Sequence, residues 1–324
     1  MSDKDAISKE FMQNPVIFAD LFNFKIYGGK QVIKPENLTP LDTTAIAIPY
    51  GSDGKPFPIQ KYRDLLKQVC IKYDDRATYV VLGVENQSQV HYAMPPRTMF
   101  YDAVQYLNQI ATAERLKGGL QTGAEFLSGF GRKDKIFPVA TATVYYGTDE
   151  WTGPRSLFEM FDDYDPELLQ FVQDYRLNLI VPAEIEEEDF PKLHSDLNPL
   201  FRFLKHTGSE SRLVADFSSD SEFRFVDKTT VDMINVFTDA NIPYSQNEER
   251  VDMCQAILDI KAHAKAEGFE EGFEDGFEDG YGEGVLKTLI ALVSKGLLTV
   301  REASEEAKMT VAEFCAKTGL TERD

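Results

Sequence analysis

The segment "DLLKQVCIKYDDRATYVVLGVENQ", residues 64–87, decides the fold of this chain. It holds two runs rich in β-branched and aromatic residues around a polar turn near Asp74-Asp75-Arg76, a pattern typical of an antiparallel hairpin. The second run is apolar from Tyr79 to Val84 and stops abruptly at Glu85-Asn86-Gln87. A strand that reads as buried therefore ends on a carboxylate and an amide two residues apart.

The hairpin predicts a polar cluster at its open end. A turn at about residue 75 makes paired residue numbers sum to about 150, which puts Asp64 opposite residue 86. Side chains alternate along a strand, so Glu85 and Gln87 share one face beside Asp64. Two carboxylates at a strand end suit Mg²⁺ (or Mn²⁺), which takes oxygen ligands and keeps waters for a phosphate substrate. The same residues also fit an ordinary strand end in solvent.

Helices and further strands are predicted on both sides of the hairpin. Residues 15–24 ("PVIFADLFNF") have apolar side chains at helical spacing, and "MPPRTMFYDAVQYLNQIATAERLKGG" predicts a longer helix with Pro96 in its first turn. Residues 136–147 and 177–181 have the composition of strands. We expect a mixed α/β domain over residues 1–245.

Charge and composition narrow the function classes. The 324 residues carry a net charge of −20, but the first 120 hold 14 basic and 13 acidic residues, so a phosphate-facing surface is expected only there. No apolar run has membrane-spanning length and no signal peptide is present, which predicts a soluble cytoplasmic protein without a membrane partner. Three distant cysteines and four scattered histidines argue against disulfides, a zinc site and histidine catalysis.

The C-terminal part has a different character. Residues 246–284 combine the amphipathic stretch "VDMCQAILDIKAHAKA" with an acidic Gly/Phe repeat of four residues. On a helix this repeat forms glycine and aromatic stripes, which favours self-association into a homo-oligomer; a disordered acidic linker fits as well. Residues 285–324 predict a small helical module, with capping boxes at Thr299/Glu302 and Thr310/Glu313.

Three motifs in order carry a family resemblance: "KYRDLLK", "YVVLGVENQS" and "HYAMPPRTMFYDAVQYLNQI". Together they resemble the PD-(D/E)XK nuclease superfamily, and within it the recombination-promoting nuclease and transposase-like branch, in which Glu-x-Gln stands where most relatives have Glu-x-Lys. "FADLFNF", "YYGTDEWTGPRSL" and the Glu-Gly repeats also fit that branch, so the resemblance spans most of the chain. It implies a restriction-endonuclease-like α/β fold, a mixed sheet flanked by helices, with a C-terminal helical tail.

The resemblance also implies an activity: Mg²⁺-dependent hydrolysis of DNA phosphodiesters, linked to recombination or to a transposase-like element. It makes Asp64 and Glu85 the metal ligands and places Gln87 in the lysine position. Because Gln87 carries no charge, either the metal does more of the work at the transition state or another cation such as Lys67 or Arg97 contributes.

Residues outside the motif core have open interpretations. Arg97, Tyr101 and Gln105 recur at helical spacing; Arg97 fits a DNA-phosphate ligand helped by the helix N-terminus, or an ordinary surface arginine. Gln105 is a candidate supporting residue at the substrate. Asp20 is a further candidate acid, or a solvated helix residue.

A non-catalytic, oligomeric interaction protein that retains the nuclease fold is the rival hypothesis. The net charge and the self-association signal favour it. A nuclease needs a basic rim, which Lys61, Arg63, Lys67 and Arg97 could supply near Asp64, and this favours the enzyme.

Overall fold

A computed structural model describes residues 3–41, 44–47, 59–62, 64–73, 76–117, 122–128, 130–162, 165–219, 224–245, 249–258 and 284–321. The chain divides into two compact units, Met1–Ile257 and Leu258–Asp324. The glycine repeat predicted to drive self-association lies outside the described residues, apart from Gly284 at its end.

The first unit alternates strands and helices. Its strands are Leu38–Pro40 (β1), Thr44–Ala47 (β2), Ile59–Tyr62 (β3), Leu65–Tyr73 (β4), Arg76–Gln87 (β5), Val139–Tyr145 (β6), Asn178–Ile180 (β7), Phe225–Asp227 (β8) and Arg250–Asp252 (β9). Its labelled helices are Asp3–Gln13 (α1), Pro15–Tyr27 (α2), Met94–Lys117 (α3), Gly123–Ser128 (α4), Pro166–Leu169 (α5), Leu197–His206 (α6), Glu210–Ser219 (α7) and Lys228–Thr238 (α8).

Five strands form the central mixed sheet, in the order β1-β4-β5-β6-β7. β1, β4 and β5 pair antiparallel, whereas β5, β6 and β7 pair parallel. The parallel connection from β5 to β6 runs through α3, as a crossover between parallel strands requires. The predicted mixed α/β class, with a sheet flanked by helices, is therefore confirmed.

The predicted hairpin is confirmed as β4 and β5, but its register was wrong by one residue. The pairs run from Leu65 with Val84 to Tyr73 with Arg76, so paired numbers differ from the expected sum by one. In sequence, two residues separate Tyr73 from Arg76, whereas a turn centred on residue 75 implies an odd number. Extending the observed register places Asp64 level with Glu85 instead of Asn86.

This register sorts the β4 and β5 side chains onto two faces. Lys67 pairs with Leu82, two residues from Val84 and on the face opposite to Glu85. Lys67 Nζ lies 4.5 Å from the centre of the Phe18 ring, so this face packs on α2. Glu85 pairs with Thr143 of β6 and shares the face covered by α3.

Helix α3 and strand β6 meet in an evenly spaced series of side chains. Met94 packs in one core cluster with Tyr145, Thr141 Oγ1 donates to Asp102 Oδ1 at 2.5 Å, and Val139 N–H donates to the Tyr106 hydroxyl at 3.1 Å. Along the helix these contacts are eight and then four residues apart, and along the strand they are four and then two residues apart. Thr98 and Thr143, both completely buried, occupy the remaining step. We call this series the α3–β6 ladder.

Most predicted elements are present, with one correction near the C-terminal end of the first unit. Helix α2 covers the predicted 15–24, and β6 and β7 lie within the predicted strand segments. The predicted helix that begins at Val251 instead starts with strand residues, because β9 pairs antiparallel with β8. Helical structure begins only at residue 253, so tertiary strand pairing overrides the local helical pattern here.

The second unit contains the predicted helical module. Helical residues 284–294 are followed by helices Val300–Glu306 and Val311–Thr318, which share a core containing Leu289, Val293 and Phe314. Both predicted capping boxes, at Thr299 and Thr310, are formed. Among the described residues, no helix combines the length and apolarity needed to cross a bilayer.

Candidate active site

The Asp64 carboxylate joins the ends of β4 and β5. Its Oδ2 accepts a hydrogen bond of 2.7 Å from the backbone N–H of Asn86, the residue between Glu85 and Gln87. Asp64 stands one residue before β4, and β5 continues past it to Gln87, so the longer strand supplies the donor. The structure thus brings the three predicted residues of the polar cluster to one strand end.

Glu85 lies completely buried beneath α3. Arg97 Nη2 is 3.4 Å from Glu85 Oε2, and the Arg97 Nε donates to the hydroxyl of Tyr101 at 3.3 Å. Arg97 and Tyr101 are one helical turn apart on the same face of α3, and Arg97 contacts the carboxylate. This ion pair was not predicted from the sequence.

A polar pocket of about 340 Å³ opens at this strand end. Asp64, Gln87 and Arg97 line it, as do Asp5 of α1 and His91 of the loop that follows β5. Asp5 and His91 were missed in the sequence. Asp5 carries no local signal because α1 reaches the site only through tertiary folding, and His91 was set aside because the four histidines are scattered.

Burial and neighbouring charges shift the ionisation of the site. Burial raises the pKa of Asp64, although the hydrogen bond from Asn86 and the charge of Arg97 oppose the shift. Burial lowers the pKa of Arg97, but the Glu85 charge and the Tyr101 hydrogen bond outweigh it and leave the pKa raised. Arg97 is therefore firmly cationic, while the proton on Asp64 is held more tightly than on an exposed aspartate.

Several backbone N–H groups at the start of α3 have partners within the protein. Ala93 N–H donates to His91 Nδ1 at 3.2 Å and Met94 N–H donates to the His91 carbonyl at 3.1 Å. Pro95 and Pro96 have no N–H, and Arg97 N–H donates to the Ala93 carbonyl. The N–H groups named here are therefore engaged within the protein, and the help that the helix N-terminus would give Arg97 in holding a phosphate stays a prediction.

Three other candidate residues lie away from the pocket. Lys67 Nζ donates to the Gln13 carbonyl at 2.9 Å on the opposite face of the sheet, and burial lowers its pKa to about 8. Gln105 lines a separate pocket with Gln68 and Phe137. Asp20 is buried. Its Oδ2 accepts hydrogen bonds from the backbone N–H groups of His194 and Ser195 and from the Ser195 hydroxyl, so it connects α2 to the segment before α6.

The structure describes the side chains of only two members of the predicted basic rim, Lys67 and Arg97. Arg97 faces Glu85, and Lys67 packs on Phe18. Lys61 belongs to β3, where only the backbone pairing is described, and Arg63 lies outside the described residues.

The donor types at the pocket suit a hard cation. Asp64 lines the pocket, and the completely buried Glu85 is level with it on the neighbouring strand. Carboxylate oxygens are the ligands that Mg²⁺ and Mn²⁺ prefer. Within the described ranges, no group of three or more His, Cys, Asp or Glu side chains is arranged to hold a metal. Arg97 already neutralises Glu85, so a cation has to compete with this guanidinium for the carboxylate.

Comparison of the chain with protein-family models, curated proteins and solved structures gave no match.

Proposed function

We propose that the chain is a Mg²⁺- or Mn²⁺-dependent DNA endonuclease that hydrolyses phosphodiester bonds. The observation that carries this proposal is the hydrogen bond from Asn86 N–H to Asp64, which holds a carboxylate beside Glu85 and Gln87 in a pocket that Arg97 also lines. The resemblance to PD-(D/E)XK nucleases supports the same residues, and its branch suggests a role in recombination or in a transposase-like element.

The topology is compatible with a restriction-endonuclease-like fold. An antiparallel hairpin carries the acidic residues, and a helix then leads to a strand parallel to the second hairpin strand. We propose this fold as the framework of the site, a cytoplasmic setting, and homo-oligomer formation through the C-terminal tail.

Each side chain has a defined task in this proposal. Asp64 and Glu85 would hold the divalent cation, which when bound activates water and neutralises charge on the phosphodiester. Gln87 Nε2 donates to the Asn86 carbonyl at 2.8 Å, so its amide oxygen is left to accept a hydrogen bond from the attacking water. Arg97, one third exposed, is able to turn from Glu85 towards a phosphate oxygen, where its fork of donors is well suited.

Plasmid cleavage with isosteric variants tests the proposal. Supercoiled plasmid is incubated with Mg²⁺ or Mn²⁺ and the wild type, Asp64→Asn, Glu85→Gln or Glu188→Gln, the last being an exposed acid far along the chain. We expect both site variants to lose cleavage by roughly a hundredfold or more, with Glu188→Gln unchanged. A wild type that folds and leaves the plasmid intact under all metal conditions, or an Asp64→Asn variant that cleaves normally, contradicts the proposal.

A non-catalytic protein that retains this fold is the second candidate, and the Glu85–Arg97 ion pair favours it. A completely buried carboxylate matched by an arginine on the covering helix fixes α3 to the sheet without any ligand. Under this alternative, Glu85→Gln reduces stability, and the wild type shows neither DNA cleavage nor cation binding.

A further inference from the structure

His91 has a place in the pocket that its sequence context did not suggest. It lies four residues beyond Gln87, in the loop between β5 and α3, and it lines the same pocket as Asp64, Gln87 and Arg97. The loop is held from both sides: the backbone of His91 accepts from Met94, and Tyr92 contacts Thr152 at 3.2 Å through their hydroxyls. The imidazole therefore stands on a fixed segment of the pocket wall.

The hydrogen bond at the start of α3 assigns the tautomer of His91. Ala93 N–H donates to Nδ1, so Nδ1 is an acceptor and carries no proton in the neutral ring. The proton of the neutral imidazole then resides on Nε2. His91 thus combines two functions in one ring: Nδ1 accepts from the Ala93 N–H just before α3, which we call its capping role, and Nε2–H remains a donor for another group.

Several donors near the pocket have partners within the protein, although Ser88 and Gln89 also line it and the buried Asn86 Nδ2 has no hydrogen-bond partner among the described residues. Arg97 faces Glu85, Gln87 Nε2 donates to the Asn86 carbonyl, and Lys67 donates to the Gln13 carbonyl on the other face of the sheet. The first backbone N–H groups of α3 are engaged or are replaced by prolines. His91 Nε2–H is thus one of several groups available to a phosphate that enters the pocket while Arg97 stays on Glu85.

We propose that His91 is a substrate-binding residue whose Nε2–H donates to a non-bridging phosphate oxygen of DNA. This inference rests on the proposed nuclease function and deepens it. The Nε2–H donor recognises the sugar–phosphate backbone without reading the base. His91 would receive the phosphate before Arg97 leaves Glu85.

Two substitutions separate this binding role from the capping role. Asn in His91→Asn keeps a side-chain acceptor for the backbone N–H two residues on, as in an Asx turn, but it lacks a donor at the reach of Nε2. His91→Phe keeps the ring and loses both functions. His194→Asn is the matched control, because His194 is exposed and its backbone, not its ring, contacts Asp20.

Binding of a short fluorescein-labelled duplex is measured by anisotropy, with Ca²⁺ in place of Mg²⁺ to suppress cleavage. We expect His91→Asn and His91→Phe to weaken binding to a similar extent, about tenfold, as for one lost hydrogen bond to a charged group. His194→Asn should bind like the wild type. Nitrogen-15 spectra of the free protein should show the Nε2-protonated ring, and an Nδ1-protonated ring overturns the inference.

The outcomes distinguish the inference from the function on which it rests. If the wild type cleaves plasmid and His91→Asn binds duplex normally, the inference fails and the nuclease proposal stands, with His91 reduced to a helix cap. If the folded wild type neither binds duplex nor cleaves plasmid, the nuclease proposal fails and the inference fails with it.

Discussion

Arg97 Nη2 lies 3.4 Å from Glu85 Oε2, and the two partners differ sharply in exposure: the Glu85 side chain is 0% exposed and the Arg97 side chain 33%. Removal of either partner therefore has unequal consequences. An arginine without Glu85 still reaches water, whereas a carboxylate without Arg97 loses its counter-charge inside the protein.

Arg97→Met should consequently destabilise the protein more than Glu85→Gln does. We expect a loss of about 3 kcal/mol in the free energy of unfolding for Arg97→Met and about 1 kcal/mol for Glu85→Gln. Urea denaturation of both variants and of the double variant at near-neutral pH measures the difference and the coupling. Equal losses in the free energy of unfolding from the two single substitutions would contradict the expected difference between the buried and the exposed partner.

Asp64→Asn should stabilise the protein at neutral pH. Burial raises the pKa of Asp64 above its ordinary 3.8, so the folded state binds more protons than the unfolded state just above that pH. Stability of the wild type therefore falls as pH rises through this window, and the penalty persists at neutral pH. Asn keeps an acceptor for Asn86 N–H and removes the penalty.

The expected gain for Asp64→Asn is roughly 1 kcal/mol near pH 7 and vanishes below about pH 4. Denaturant unfolding at both pH values measures it, with the exposed Glu188→Gln as the control that should show no such trend. A gain that grows on acidification would contradict the raised pKa.

Lys67→Met should stabilise the fold without changing the affinity of the protein for DNA. Burial lowers the pKa of Lys67 from 10.5 to about 8, so the unfolded state binds more protons between these values and wild-type stability rises with pH there. Below this window the charged form carries the full penalty. Met removes the charge and packs on Phe18, which outweighs the lost bond to the Gln13 carbonyl.

We expect Lys67→Met to add about 2 kcal/mol near pH 7 and clearly less at about pH 10. Unfolding titrations at the two pH values test this, and duplex binding in parallel should be unchanged. A severalfold loss of binding would restore Lys67 to the substrate-binding role that its sequence position suggested.

The capping boxes make a separate prediction for the second unit. Thr299→Ala and Thr310→Ala each remove a hydroxyl that accepts the N–H of the glutamate three residues on. Each should lower the local stability of residues 284–321 by about 1 kcal/mol. Hydrogen exchange of backbone amides measures this, and Thr288→Ala, within the preceding helix, is the control. Unchanged exchange in both cap variants would mean that the core around Phe314 alone holds these helices.

Sequence periodicity was sufficient to predict the hairpin, α3 and the mixed sheet, because each has a strong local pattern. The register could not be predicted, since nothing in the sequence distinguishes a pairing sum of 149 from a sum of 150. That single residue matters: a sum of 150 places Lys67 opposite Gly83 on the face of Glu85, whereas the observed pair with Leu82 turns it away. The same correction brings Asp64 level with Glu85.

The candidate site was predictable where its residues share one hairpin or one helix turn. Asp64, Glu85, Gln87 and Arg97 are of this kind. Asp5 is brought in by α1 from outside the hairpin, and Gln105 falls into another pocket because two helical turns separate it from Arg97. His91 lacked any partner in sequence, and the role proposed for it rests on the loop that carries it.

The α3–β6 ladder has a consequence for motion at the pocket. Contacts at Met94, Asp102 and Tyr106 fasten the helix along most of the length of β6, so sliding α3 would break several of them together. Rotation about the side-chain bonds of Arg97 breaks one ion pair and one hydrogen bond. Rearrangement at this pocket should therefore take place through fast rotamer exchange, on the nanosecond scale, around a helix that stays still.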